Sequence, residues 1–216
     1  MRDTPGWDTL LRVTILPSTA PREFTDPPAE PAVLLRRWLA DAQAAGDASP
    51  FTAVLATADA SGQPSTRCLA VRSCQERGLV MFTNLNTRKG RALHANPRAA
   101  ATFYWPALFR QVNITGHVEL TGQDESGALW DARGLPGQVA SAVSRQGAKL
   151  DDYELLAAHA AELTAAGPPV ARPEGHSGIV LVPQTAEFWL GQASQLHYRL
   201  HYARADTGWE SCLLQP

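Results

Sequence analysis

From residue 51 to 120, apolar positions recur every second residue in short runs, with clusters of Gly, Pro, Asp or Ser between them. "FTAVLATA" (51–58) and "STRCLAVRS" (65–73) flank the turn signal "DASGQP", a hairpin pattern. "GLVMFTN" (78–84) follows "SCQERG", and "AAATFYW" (99–105) precedes the long "LFRQVNITGHVEL" (108–120). "GIVLVPQTAEFWL" (178–190), "LHYRLHYA" (196–203) and "GWESCLLQP" (208–216) close the chain in the same way. Short antiparallel strands with turns this frequent predict a barrel or a sandwich.

Elsewhere the period lengthens to that of a helix. "PAVLLRRWLADAQAAG" (31–46) puts Leu34, Leu35, Trp38, Leu39 and Ala42 on one face, with Pro31 at the start and Gly46 at the stop. A second helical region spans 123–166, interrupted by "RGLPG"; Leu150, Tyr153, Leu156 and Ala160 give its latter half a stripe. Residues 1–31, rich in Pro and Thr, read as an arm lying on a surface.

With 216 residues, 44% apolar and 19% charged, the chain suits a single folded domain with a full core. A formal charge of −2 gives no electrostatic case for a nucleic-acid partner. No apolar run approaches the ~18 residues of a membrane span, and the N-terminus lacks a signal peptide's apolar stretch. Cys68, Cys74 and Cys212, without metal-ligand spacing, predict inert reduced thiols in a cytoplasmic protein. His94, His117, His159, His176 and His201 form no metal-site pattern either.

One stretch breaks a local rule. In "FTNLNTRKGRALHANP" (82–97), Thr87 sits where a helix N-cap belongs, yet Arg88, Lys89 and then Arg91 follow it. Free N–H groups and the helix dipole make that end unfavourable for cations by ~0.3–1 kcal/mol each. The conflict disappears if an anion, most simply a phosphate, occupies the helix N-terminus. The alternative is that these side chains extend into solvent. Arg67 and Arg72 lie in an otherwise apolar strand, Arg110 and Gln111 begin another, and Arg145 and Gln146 follow the helix break. Charges in the strands of a small barrel are costly unless paired or facing a ligand. With Trp189 and Arg199 in the last strands, the set suits a planar cofactor with a phosphate tail.

In the order and spacing of "GQPSTRCLAVR", "VMFTNLNTRKGRAL", "NPRAAATFYWPALFRQVNITGHVEL", "SRQ" and "EFW…QLHYRLHY", the chain resembles the pyridoxamine-phosphate oxidase family nearly end to end. The resemblance implies a mainly β fold with flanking helices (α+β), a six-stranded antiparallel split β-barrel that binds FMN and works as a homodimer. Residues 1–48 would form the arm and first helix, and 49–216 the FMN-binding barrel with its C-terminal dimerisation strands, in one structural domain. The FMN positions carried over are Arg67, Cys68, Leu69, Ala70, Val71 and Arg72 along one strand, and Phe82 and Thr83 at the end of the next. Thr87, Arg88 and Lys89 would hold the phosphate. Gln111, Gln146, Trp189 and Arg199 complete the set, some from the partner subunit. Trp38 is expected in the core, and Tyr104 and Trp105 in the barrel or dimer core.

On the substrate side, the family's phosphate ligands are a Lys, a Tyr, an Arg and a Ser. The matching positions here are Arg72, Leu129, Arg133 and Gly137. Two hydrogen-bonding side chains are absent, and Arg is no equivalent of Lys as a phosphate ligand. Charge-assisted bonds are worth ~1.5–3 kcal/mol each, so several kcal/mol of phosphate binding are forfeited. The family's "RLH" reads Gln195, Leu196, His197, and its basic arm is replaced by "RVTILPSTAP". These departures point to the family's phenazine-biosynthesis branch, which shares the "FxxPPAxP" start, the "SRQ…L" segment and a "LQP" ending. There, FMN oxidises reduced, unphosphorylated tricyclic intermediates with O2 and yields hydrogen peroxide. His197 is then the expected catalytic group, with Arg72, Leu129, Arg133, Gly137 and Gln195 as further substrate contacts. A pyridoxamine/pyridoxine-phosphate oxidase, a flavin carrier without turnover and a deazaflavin protein are the alternatives.

Overall fold

The alternating runs form β1 (Thr52–Ala58), β2 (Pro64–Gln75), β3 (Gly78–Asn84), β4 (Arg98–Trp105), β5 (Arg110–Leu120), β6 (His176–Leu190), β7 (Tyr198–Ala205) and β8 (Gly208–Leu213). This computed structural model describes residues 20–216, so most of "RVTILPSTAP" and the start of the arm lie outside the described residues. The strands pair antiparallel in the order β3-β2-β1-β4-β5-β6-β7-β8, and β3 also pairs with β6. That extra pairing closes β1 to β6 into a six-stranded barrel with no free edge, and β7 and β8 extend from β6. Alternation sets the interior: Ala53, Leu55 and Thr57 of β1 and Ala99, Ala101, Phe103 and Trp105 of β4 are buried. Tyr104 points the other way and is half exposed, so of the two places expected for it the barrel interior is excluded.

α2 (Pro31–Ala44) buries the whole stripe that its sequence displays, and its residues join the barrel core. Trp38 packs edge-on against Phe188, with ring centroids 5.2 Å apart. The Arg110 guanidinium lies 4.7 Å from the Trp38 ring and pairs with Asp41 at 2.5 Å. A four-residue α1 (Arg22–Thr25), too short to leave a periodic signal, seats Phe24 between Trp38 and Tyr198.

The region 123–166 contains α4 (Gln123–Asp131), α5 (Leu135–Val143) and α6 (Tyr153–Ala166), while α3 (Arg88–Ala95) follows β3. "RGLPG" does break the first two apart, but Leu135, Pro136 and Gly137 belong to α5, where Pro suits the first turn. A second break, 144–152, went unpredicted; Gly147 takes a φ of +88° there and Asp152 caps α6. Leu150 therefore lies outside the helix and Tyr153 is exposed, so the expected stripe shifts to Ala160 and Leu163. Those two pack on a second, smaller core of Phe82, Trp130, Val139 and Val170. No helix among the described residues is long and apolar enough to cross a membrane.

Candidate active site

The end of β3 feeds directly into α3. Thr87 caps that helix: its Oγ1 donates to the Asn84 carbonyl at 2.7 Å and accepts from the Gly90 N–H at 3.3 Å. A Cβ at Gly90 would collide with the backbone of Leu85, so glycine lets the first turn lie flat on the preceding loop. This close seating buries Lys89, which donates to Thr87 Oγ1 at 3.2 Å. Burial, and then the charge of Arg67, push the Lys89 amine down to about 8.

Arg67 reaches the same place from β2. It donates to the Leu55 carbonyl at 3.0 Å, Thr57 Oγ1 at 2.9 Å and Ser65 Oγ at 2.7 Å. Burial first, then the neighbouring Arg88, depress its pKa. Among the described residues, no carboxylate pairs with Arg67, Arg88 or Lys89. Asp59 is near enough to feel Arg88, but its Oδ1 is occupied by Ser61 and the Gln63 N–H. Three cations thus converge with no carboxylate partner among the described residues, Lys89 buried, Arg67 half-buried and Arg88 exposed, an arrangement that suits an anionic ligand. Phe82 and Thr83 lie beside them in β3, both buried, and Thr83 Oγ1 has no hydrogen-bond partner.

A second group of basic side chains lies beyond the β3–β6 seam. Arg133 stands in the turn between α4 and α5 with its Nε buried and unpartnered; burial and then Arg72 lower its pKa. Gly137, one turn on, leaves the space the guanidinium occupies: a Cβ there would lie 2.6 Å from Arg133 Nε. Leu129 packs against Gly178 of β6. His176, which no sequence pattern singled out, opens β6 opposite Asn84. Its ring stacks on Phe82 at 6.0 Å and meets the Trp130 edge at 5.9 Å. Only the strand register brings it here, and register is not visible in one sequence. The unpredicted break at 144–152 delivers Gln146 to the same cleft of about 490 Å³ that Thr87, Arg88 and His176 line.

The remaining predicted residues are elsewhere. Gln111, Trp189 and Arg199 are directly opposite one another across β5, β6 and β7, with Tyr104 of β4 continuing the row. Arg199 makes a two-pronged pair with Glu187 at 3.0 and 3.1 Å and donates to the Gln215 carbonyl at 3.0 Å. The Glu187 hydrogen bonds raise the Arg199 pKa. Gln195 and His197 fall in the β6–β7 loop; His197 was expected in a strand from Leu196, but β7 starts at Tyr198. Gln195 adopts a left-handed φ of +64°, and the His197 ring lies 4.7 Å from that of Trp189. His197 Nδ1 accepts the Gln192 N–H at 3.0 Å, so in neutral His197 the ring proton is on Nε2. Of the β2 strip, Leu69 and Val71 turn inward, whereas Cys68, Ala70 and Arg72 face outward. From His176 to Trp189 are thirteen residue steps of β6, at most roughly 43 Å of strand at ~3.3 Å per step. The predicted site is split between the two ends of one strand.

A closed antiparallel barrel of six strands with flanking helices, extended by two further strands, defines a split-barrel protein. More particularly, the chain belongs to the pyridoxamine 5'-phosphate oxidase family: residues 39–166 match the family's "Pyridoxamine 5'-phosphate oxidase" signature. Residues 176–216 match its "Pyridoxine 5'-phosphate oxidase C-terminal dimerisation region". The chain is 39% identical to a dihydrophenazinedicarboxylate synthase of Burkholderia lata, over 90% of this chain and 92% of that one. It is 41% identical to a pyridoxine/pyridoxamine 5'-phosphate oxidase of Burkholderia vietnamiensis, over 96% and 99%. Among solved structures, PhzG of Burkholderia lata 383 in complex with tetrahydrophenazine-1-carboxylic acid superposes with a TM-score of 0.88. That match is 38% identical and covers 92% of this chain and 98% of that one. Identity alone does not separate the two activities.

Proposed function

We propose that this chain is a homodimeric, FMN-dependent oxidase that dehydrogenates a reduced, acid-bearing tricyclic substrate of the phenazine type. In the overall reaction the substrate loses two electrons and two protons, and O2 leaves as hydrogen peroxide. The observation that carries the reading is the buried Lys89 beside Arg67 and Arg88 with no carboxylate among the described residues to balance them. These residues fit FMN: the phosphate would be held by the Thr87-capped helix end and the three cations, and Thr83 Oγ1 is a free polar atom for the ring system. When bound, the flavin supplies the two-electron chemistry and its reoxidation by O2.

The protein's own groups bind and orient. A two-fold dimer would bring the Gln111–Trp189–Arg199 row of one protomer to the α3 cations of its partner, joining halves that a single chain holds at opposite ends of β6. Glu187 and the Gln215 carbonyl hold the Arg199 guanidinium in place before any ligand arrives. His197, fixed through Nδ1, would offer its Nε2 proton to a substrate or ring acceptor; Gln195 beside it offers an amide. Arg133, with Arg72, would receive the substrate's acidic group. Leu129 and Gly137 supply no donors for a phosphate, which favours a carboxylated molecule such as the one bound in the Burkholderia lata structure. The free Cys68, Cys74 and Cys212 suit a reducing cytoplasm.

A pyridoxine/pyridoxamine 5'-phosphate oxidase is the second reading, favoured by the 41% identity to the Burkholderia vietnamiensis enzyme. Anaerobic mixing of the FMN-loaded protein with a tetrahydrophenazine carboxylic acid, and separately with pyridoxamine 5'-phosphate, decides between them. The tricyclic acid should bleach the flavin faster and release peroxide when O2 is admitted. Faster bleaching by pyridoxamine 5'-phosphate would overturn the assignment.

A further inference from the structure

His176 has no role in the reading above, yet it occupies the most unusual environment of any histidine in the described chain. Phe82 and Trp130 fix its ring from two sides. Its Nδ1 is buried and makes no hydrogen bond, and neither does the buried Nε of Arg133. Buried polar atoms are nearly always bonded, so two unpartnered ones with a shared appetite for an acceptor call for an explanation. The charges around the ring are almost all positive. Arg133 acts from the α4–α5 turn, Lys89 from α3 and Arg172 from the loop before β6, while Arg72 stands behind Arg133. Across the cleft lie Arg88, Arg91 and Arg145, and the one acid lining it, Glu174, is exposed. From β3, Asn84 uses its Oδ1 to cap the Asn86 N–H.

We propose that His176 is a substrate-positioning residue that, together with Arg133, receives the acidic group of the substrate and takes up one solvent proton as that group binds. The inference rests on the acid-bearing substrate proposed above and adds a residue to it. A carboxylate or phosphate accepting from both Arg133 Nε and the imidazole would satisfy both atoms at once. Without the anion, burial and the surrounding cations hold the ring below an ordinary histidine's pKa and therefore neutral near pH 7. With the anion in place the protonated ring is favoured. The sign follows from linkage. Binding is tightest at pH values below the pKa of the free ring and weakens as pH rises through that of the complex. Each unit between the two pKa values is a tenfold change in affinity.

The test uses the FMN-loaded protein and three probes: phenazine-1-carboxylate, uncharged phenazine, and pyridoxal 5'-phosphate. The His176 imidazole is titrated by NMR with and without each probe, and dissociation constants are measured from pH 5.5 to 8.5. Phenazine-1-carboxylate should raise the His176 pKa by a unit or more and bind about tenfold tighter at the acid end; phenazine should do neither. His176→Gln, which keeps a donor but cannot titrate, should flatten the profile and raise KM at low pH while kcat holds within twofold. If pyridoxal 5'-phosphate alone produces the His176-dependent response, the anion pocket stands and the phenazine reading falls. A His176 pKa unmoved by either anion, or an unchanged pH profile in His176→Gln, overturns the proposal.

Discussion

The two ends of β6 solve opposite problems with similar residues. At the His176 end, Arg67, Arg88 and Lys89 are crowded together unpaired, and Lys89 is driven down to about 8. At the Trp189 end, Arg199 is fully engaged by Glu187 and the Gln215 carbonyl, and His197 is clipped by the Gln192 N–H. The first region carries cations with no carboxylate partner among the described residues; the second already has its partners within the chain. A charge that serves binding is recognised less by its type than by the partner it lacks.

This contrast can be broken from either side. The largest effect should come from Lys89→Met, which removes a buried cation but keeps its bulk. FMN affinity should fall about 10–150-fold, while the flavin-free protein gains about 1–3 kcal/mol in urea unfolding. Loss of both would mean that Lys89 is structural. Arg88→Ala, at an exposed position, should cost FMN retention about tenfold with little change in flavin-free stability, as judged by flavin content after dialysis. Glu187→Gln at the opposite end should lower stability by about 1 kcal/mol even without flavin, because the pair is only partly exposed and already made. Thermal unfolding of the two flavin-free variants side by side gives the comparison directly.

A pH series sharpens the contrast further. The folded value of Lys89 is about 8 against the usual 10.5, so the unfolded chain binds more protons between those values. Stability of the flavin-free protein should therefore rise from pH 8 toward 10.5, the reverse of an ordinary ion-paired lysine. Saturating FMN should flatten that rise, since its phosphate restores a counter-charge. Cys68→Ser, on the exposed outer side of β2, should shift stability by no more than about 0.5 kcal/mol and leave both ends unaffected.

Much of the barrel was legible because each strand carries a two-residue alternation and each hairpin its own turn chemistry. The α2 stripe was equally plain, from Leu34 to Ala42. The cation cluster could be located because Arg88 and Lys89 contradict the helix dipole, a conflict visible within four residues. Long-range placement was not legible. Nothing local shows that Asn84 faces His176, so the histidine passed for ordinary. The loop at 144–152 was hidden because Leu150 and Tyr153 mimic a helical stripe that the chain does not form. Whether Tyr104 lies in the barrel interior or on its outer face was not legible for a related reason: an aromatic residue in a strand can lie on either face, and only the register puts it beside Gln111 on the outside.

The vacancy at Gly137 ties that position to Arg133. Any side chain installed there would strike the Arg133 guanidinium where it now rests. A substitution at Gly137 is therefore not a change at one position: the Arg133 side chain has to shift to make room. A library that varies the two positions together should therefore recover combinations that one varying Gly137 alone would miss.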